Sequence, residues 1–80
     1  MKNVKVEWCE NFIKALFKKL QRNGAYGIEM NLFWDKAEAS GLWERGTYGS
    51  PMSEALENLV KVEFVNDDDG NYLYTAFKLA

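Results

Sequence analysis

Apolar and polar positions along this chain change their period several times, and each change marks an element. From Glu7 to Arg22, Trp8, Phe12, Leu16 and Leu20 recur at every fourth residue, flanked by Cys9, Ile13 and Phe17. That spacing predicts an amphipathic helix whose apolar arc spans about half its circumference, with Trp8 on the buried side. Lys14, Lys18 and Arg22 form a basic stripe opposite the arc, and Asn23-Gly24 supplies a stop, since both residues tolerate left-handed backbone. Ala25 to Met30 then sets Tyr26, Ile28 and Met30 against Gly27 and Glu29, the alternation of a brief strand or extended link. Asn31 is expected to cap a second helix over Leu32 to Ser40 that ends at Gly41, and Leu42 to Gly49 reads as a glycine-rich loop holding Trp43 and Tyr48.

The last thirty residues carry the clearest pattern. Ser50-Pro51 is an N-cap followed by proline at the first helical position. Met52, Ala55, Leu56, Leu59 and Val60 repeat on one helical face, and after Val62 the period drops to two. Asp67-Asp68-Asp69-Gly70 then turns the chain into a second run, Asn71 to Leu79. The phrase Ala55-Leu56-Glu57-Asn58-Leu59-Val60-Lys61-Val62-Glu63-Phe64-Val65, the polar turn and Asn71-Tyr72-Leu73-Tyr74 together resemble the third helix and wing of the winged helix-turn-helix superfamily. Glu63 stands where glycine usually closes that helix, so the exit from the helix is expected to differ. The resemblance covers nearly the whole chain and implies an α+β fold in the order α-β-α-α-β-β with a C-terminal β-hairpin wing. It is a packing signature, and it implies fold far more specifically than activity.

Eighty residues with nearly half of them hydrophobic set the scale at one domain, residues 1–80, with a core close to the smallest that is stable alone. A lone cysteine, Cys9, excludes an internal disulfide and fits a reducing compartment. No run resembles a signal peptide or is long enough to span a bilayer, so the expectation is a cytoplasmic protein with no membrane partner. The net charge of −2 is unevenly distributed: residues 1–25 carry +4 and residues 26–80 carry −6. Such a split orients a small domain towards a polyanion or an oppositely charged protein.

Catalytic and metal chemistry find little support. The chain has no histidine, so the usual general base near neutral pH is missing, and no carboxylate pair has a scaffold for acid–base work. Cys9, beside the apolar arc, reads as a small buried thiol. The turn around Asp67, Asp68 and Asp69 resembles half of a calcium loop, but Val65 and Ala76 occupy the first and closing ligand positions. No cofactor is expected and no enzyme. The Gly46-Thr47-Tyr48-Gly49 loop lacks the lysine of a phosphate-binding loop. As a G-x-x-G between two helices it also resembles the KH fold, which is the alternative architecture and implies binding of single-stranded RNA.

Charge argues against the usual docking of a recognition helix in DNA. The third helix would expose Glu54 and Glu57, and the wing tip Asp67, Asp68 and Asp69, all of which repel phosphates. A nucleic-acid surface would instead draw on Lys14, Lys18, Lys19 and Arg22 of the first helix, with Arg45 and Tyr48. Three tryptophans and four tyrosines also exceed what one small core readily buries. Trp34, Trp43, Tyr48 and either Tyr72 or Tyr74 are hard to bury together, because opposite faces of a hairpin cannot both look inward. The leading expectation is a small interaction module, of a kind found in phages and mobile elements, that binds a protein through Glu54, Glu57, Asp67, Asp68, Asp69 and Trp43. The alternative is a DNA-binding transcriptional regulator acting as a homodimer.

Overall fold

A computed structural model of the chain describes residues 4–24, 27–47 and 49–80. Three helices and a three-stranded antiparallel sheet follow in the order α1 (Val6–Arg22), β1 (Ile28–Glu29), α2 (Met30–Ala39), α3 (Pro51–Leu59), β2 (Val60–Asn66) and β3 (Tyr72–Leu79). Strand β3 is central, with β1 on one side and β2 on the other. The α+β class and the element order match the sequence reading.

Helix α1 forms where its apolar spacing puts it, but it is rotated about its axis. Cys9, Ile13 and Phe17 line the core, Phe12, Leu16 and Leu20 flank it, and Trp8 is 47% exposed rather than buried. A wide apolar arc does not say which of its rows is central, and the row one residue on from Trp8 is the one facing α3. Lys5 sits over the Trp8 ring at 5.8 Å and shields its face from water. Asn23 and left-handed Gly24 end the helix as expected, at φ +82° for the glycine.

The cap of α2 is Glu29, two residues before the expected Asn31. Its Oε2 accepts the Leu32 N–H at 2.9 Å, so the helix starts at Met30 directly from the end of β1. The expected strand over Ala25 to Met30 shortens to Ile28–Glu29, and Ala25 and Tyr26 lie outside the described residues. Ser50 caps α3 as predicted, its Oγ accepting from the Ser53 N–H at 3.3 Å with Pro51 behind it.

The exit from α3 departs from the sequence reading. Leu59 is the last helical residue, and Val60 is already extended (φ −124°, ψ 158°) as the first residue of β2. With no glycine to turn in left-handed geometry, a β-branched valine passes straight into strand. Glu63 therefore lies in mid-strand, opposite Ala76, and the period of two begins at Val60.

The core is a sandwich of helices on one face of the sheet. Cys9, Ile13 and Phe17 of α1, Phe33 and Ala37 of α2, and Met52, Ala55 and Leu56 of α3 pack with Ile28 and Phe77. Phe33 is the hub: its ring meets Phe12, Trp34 and Phe77 edge-on at 6.1, 5.4 and 5.3 Å. Ile28 and Val62 are both register partners of Phe77, so all three point to the helical side. The helices cover only the base of the β2–β3 hairpin. Its distal half projects as an arm, and the molecule measures 45 × 28 × 21 Å.

Candidate interaction surface

The arm owes its shape to a turn and a bulge. Asp67 N–H donates to the Asn71 carbonyl and Gly70 N–H to the Asp67 carbonyl, with Gly70 left-handed at φ +86°. The Asp67 carboxylate holds this loop from within, its Oδ1 accepting from the N–H groups of Asp69 (2.9 Å) and Asn71 (2.8 Å). Below the turn, Val65 pairs with Tyr74 but Asn66 pairs with Tyr72, so Leu73 is an extra residue on β3. The bulge returns Tyr72 to the helical side of the sheet, where its ring meets Phe64 at 6.3 Å and its hydroxyl lies 2.8 Å from the Thr75 hydroxyl.

Large apolar side chains line this arm in the open. Val62 (56%), Phe64 (68%) and Tyr72 (60%) are exposed on the helical side, and the bulged Leu73 and Tyr74 are exposed as well. Both Tyr72 and Tyr74 are therefore outside the core. On the outer side, Lys78 Nζ reaches Glu63 Oε2 at 2.7 Å across β2 and β3, and the bond to Lys78 lowers the Glu63 carboxyl below the ordinary carboxylate range.

The residues singled out from sequence fall into several separate places. Lys14, Lys18 and Arg22 share one exposed stripe of α1, and Lys19 lies round the helix beside the row of Trp8, Phe12 and Ala15. Among the described residues none of these four cations makes an ion pair. Arg45 does not join them. It bonds Asp35 (2.9 Å) and Glu38 (3.3 Å) of α2 and lies 5.6 Å over the Trp43 ring, clamping the α2–α3 loop. The bond to Glu38, with the charges of Glu38 and Asp35, raises the guanidinium above its ordinary pKa. Trp43 is half-buried against Trp34 at 4.6 Å, and its Nε1 is buried without a partner among the described residues. It packs within the loop and also lines an open surface pocket with Asn31, Trp34, Arg45 and Ser53. Tyr48 lies outside the described residues, while Gly46 and Gly49 on its two sides are left-handed.

Glu54 and Glu57 are exposed on α3 as expected. Of the three turn aspartates, Asp68 and Asp69 are free to meet a partner. Asp67 is held in the turn, and the Asn71 N–H leads the contacts that lower its carboxyl below the usual range. A carboxyl depressed by folding stabilises the turn fully above its unfolded pKa, and that contribution disappears as pH falls through the folded pKa. The amide protons of Asp69 and Asn71 should therefore titrate with a midpoint below that of an ordinary aspartate in a ¹H–¹⁵N NMR series. Asp67→Asn, which keeps an acceptor oxygen, should remove that titration and retain the turn. A midpoint at or above the ordinary aspartate value would show that the carboxylate does not organise the loop.

Cys9 is fully enclosed, and burial pushes its thiol pKa up, so it stays neutral and unreactive at physiological pH. Among the described residues no three His, Cys, Asp or Glu side chains group to hold a metal ion, and no helix is long and apolar enough to cross a membrane.

Sequence reasoning overlooked Val62, Phe64 and Leu73. The alternation Val60, Val62, Phe64 was visible in the sequence, but a period-two apolar row reads as inward-facing unless the length of the covering helices is known. No protein-family model, curated protein or solved structure matches this chain.

Proposed function

We propose that the chain is a non-enzymatic, winged-helix-like interaction module that binds protein, with the β2–β3 hairpin as its arm. The observation that carries this reading is the exposed apolar array Val62, Phe64, Tyr72, Leu73 and Tyr74 on a projecting hairpin. Leaving large apolar side chains in water forgoes roughly 25 cal/mol for each Å² that a partner could cover. Val62, Phe64 and Tyr72 form one exposed apolar patch on the helical side, and Tyr74 stands on the opposite face beside Val65; exposed apolar surface of this kind marks an interaction site. Aromatic side chains at its centre with charges at its rim are the composition of a protein interface. Asp68 and Asp69 at the tip give the arm an acidic end suited to a basic protein surface, and Glu54 and Glu57 on α3 carry the same sign.

A second reading, a DNA-binding regulator using α1, draws on the exposed cations Lys14, Lys18, Lys19 and Arg22. Anisotropy titrations at low salt against duplex DNA, single-stranded DNA and RNA separate the two. The protein-binding reading expects no salt-dependent binding to any of them. Binding that falls steeply with salt and is lost in Lys14→Glu/Lys18→Glu would replace it with the regulator. The positive test compares proteins captured from lysate by the wild type and by Leu73→Ser/Tyr74→Ser. The arm variant should lose partners that the wild type retains, and an identical set would remove the arm from the interface.

A further inference from the structure

We infer that the free edge of β2 pairs with the same edge of a second copy of the chain, antiparallel about a two-fold axis at Val62, giving one continuous six-stranded sheet. This deepens the reading above and rests on it only in taking the arm as a binding surface.

Hydrogen-bond polarity decides what the edge can accept. The order β1-β3-β2 leaves one side of β2 without a strand partner, and the strand is open there beyond Val60, along 61–66. Ala80 N–H donates to the Leu59 carbonyl at 2.9 Å, which continues the β2–β3 ladder one pair past Val60–Leu79. Hydrogen-bonded and non-hydrogen-bonded pairs alternate in an antiparallel ladder. Lys61, Glu63 and Val65 therefore bond to β3, while the N–H and C=O groups of Val62 and Phe64 and the C=O of Val60 point out from the edge; the Val60 N–H is held by the Leu56 carbonyl as the last bond of α3. An edge strand in this state is a template for a further strand. β2 has no proline and the extra residue of its bulge lies on β3, so Lys61 and Glu63 are the edge features that decide which strand it accepts.

Charge and apolar pairing together then favour one register. Outward-pointing groups must meet outward-pointing groups, which leaves few alignments of β2 with itself. Centring the axis on Lys61 opposes two lysines, and centring it on Glu63 opposes two glutamates; like charges directly opposite destabilise a pair. Centring it on Phe64 sets Glu63 opposite Val65 and Val62 opposite Asn66, so that polar residues face apolar ones on both sides of the sheet. Centring it on Val62 sets Lys61 opposite Glu63 of the second copy, and Glu63 opposite its Lys61. The same register places Val60 opposite Phe64 of the second copy, twice, and the two Val62 side chains opposite each other. All charged pairs then lie on the outer face and all apolar pairs on the helical face.

Coverage follows from the same symmetry. A two-fold axis perpendicular to the sheet keeps both helical layers on one side. Each arm runs alongside the base of the other β2, where Val60 and Leu59 form the margin of the core. Phe64 and Val62, the exposed pair that the chain's own helices fail to reach, are then covered by the second copy. Tyr74, Leu73 and the acidic tip lie outside the five paired residues and remain open to another protein.

Sedimentation equilibrium or light scattering on the full chain, over low to high micromolar concentration, tests this. The wild type should reach twice the chain mass. Lys61→Glu and Glu63→Lys each create two like-charge pairs, and each should weaken the dimer on the order of tenfold or more. Circular dichroism checks that both variants fold. Mixed in equal amounts, the two variants should form a heterodimer, because each cross-strand pair then joins a carboxylate of one variant to an ammonium of the other. The swapped double variant Lys61→Glu/Glu63→Lys should dimerise with itself. A monomeric wild type throughout the range would overturn the inference. So would a dimer indifferent to both charge reversals, or two folded variants that fail to associate when mixed. A monomer that still loses lysate partners on Leu73→Ser/Tyr74→Ser would sink this inference and leave the protein-binding reading standing.

Discussion

Phe33→Ala is expected to remove about 3–5 kcal/mol of folding stability, the range for truncating a fully buried phenylalanine. At ~0.05–0.15 kcal/mol per residue, a chain of this length has only roughly 4–12 kcal/mol in total. The variant should therefore sit near the edge of unfolding at 25 °C. Phe33 is completely enclosed and touches three other aromatic rings, one from each neighbouring part of the fold: Phe12 on α1, Trp34 beside it on α2 and Phe77 on β3. Removing the ring ends all three edge-to-face contacts at once, and whatever space its neighbours do not close adds a cavity term to the transfer term. Urea denaturation followed by tryptophan fluorescence and far-UV circular dichroism measures the loss. A loss below about 1.5 kcal/mol would mean that the ring cluster relaxes around the cavity and that Phe33 is not the hub.

Phe33 also shows what could be read from the sequence and what could not. Local signals were legible wherever one residue type decides the backbone. Gly24 after α1, Ser50-Pro51 before α3 and Gly70 in the hairpin turn all act as their chemistry dictates. The α3 positions Met52, Ala55 and Leu56 are buried as their spacing requires. The rotation of α1 was not legible, because Trp8 and Cys9 both belong to a wide apolar arc and only the position of α3 makes Cys9 central. The exit at Val60 was not legible either, since valine fits a helical face and a strand equally well until the strand partner Leu79 is in place. At the surface, the lysines of α1 and the glutamates of α3 were placed correctly as exposed groups. The contacts of Arg45 with Asp35 and Glu38 depend on how the intervening loop folds back, which no spacing reports. The open arm was hidden for the same reason. Alternation tells which residues share a face, and only tertiary structure tells where the cover ends.

The second large effect is a coupling between the sheet and the helices. Phe77 is almost fully buried towards the base of β3, with Ile28 and Val62 as its cross-strand neighbours and the Phe33 and Trp34 rings edge-on above it at 5.3 and 6.5 Å. Phe77→Ala should cost about 3–5 kcal/mol, as Phe33→Ala does, and for the same physical reason. A milder pair isolates the contact itself. Phe33→Leu and Phe77→Leu keep apolar volume in the core and should each cost within the ~0.5–3 kcal/mol range of ordinary core substitutions. If the perpendicular rings attract each other beyond their burial, the double variant should lose about 0.5–1.5 kcal/mol less than the two losses added. Additivity within about 0.3–0.5 kcal/mol would assign the stability to area alone and remove any special role for ring geometry. The outcome also bears on the arm. Phe77 is the last residue of β3 that the helices grip through an aromatic contact, and Thr75, Tyr74 and Tyr72 lie beyond it towards the tip. Weakening that grip should raise amide exchange in the arm more than in α1, because the arm has no other helix to hold it.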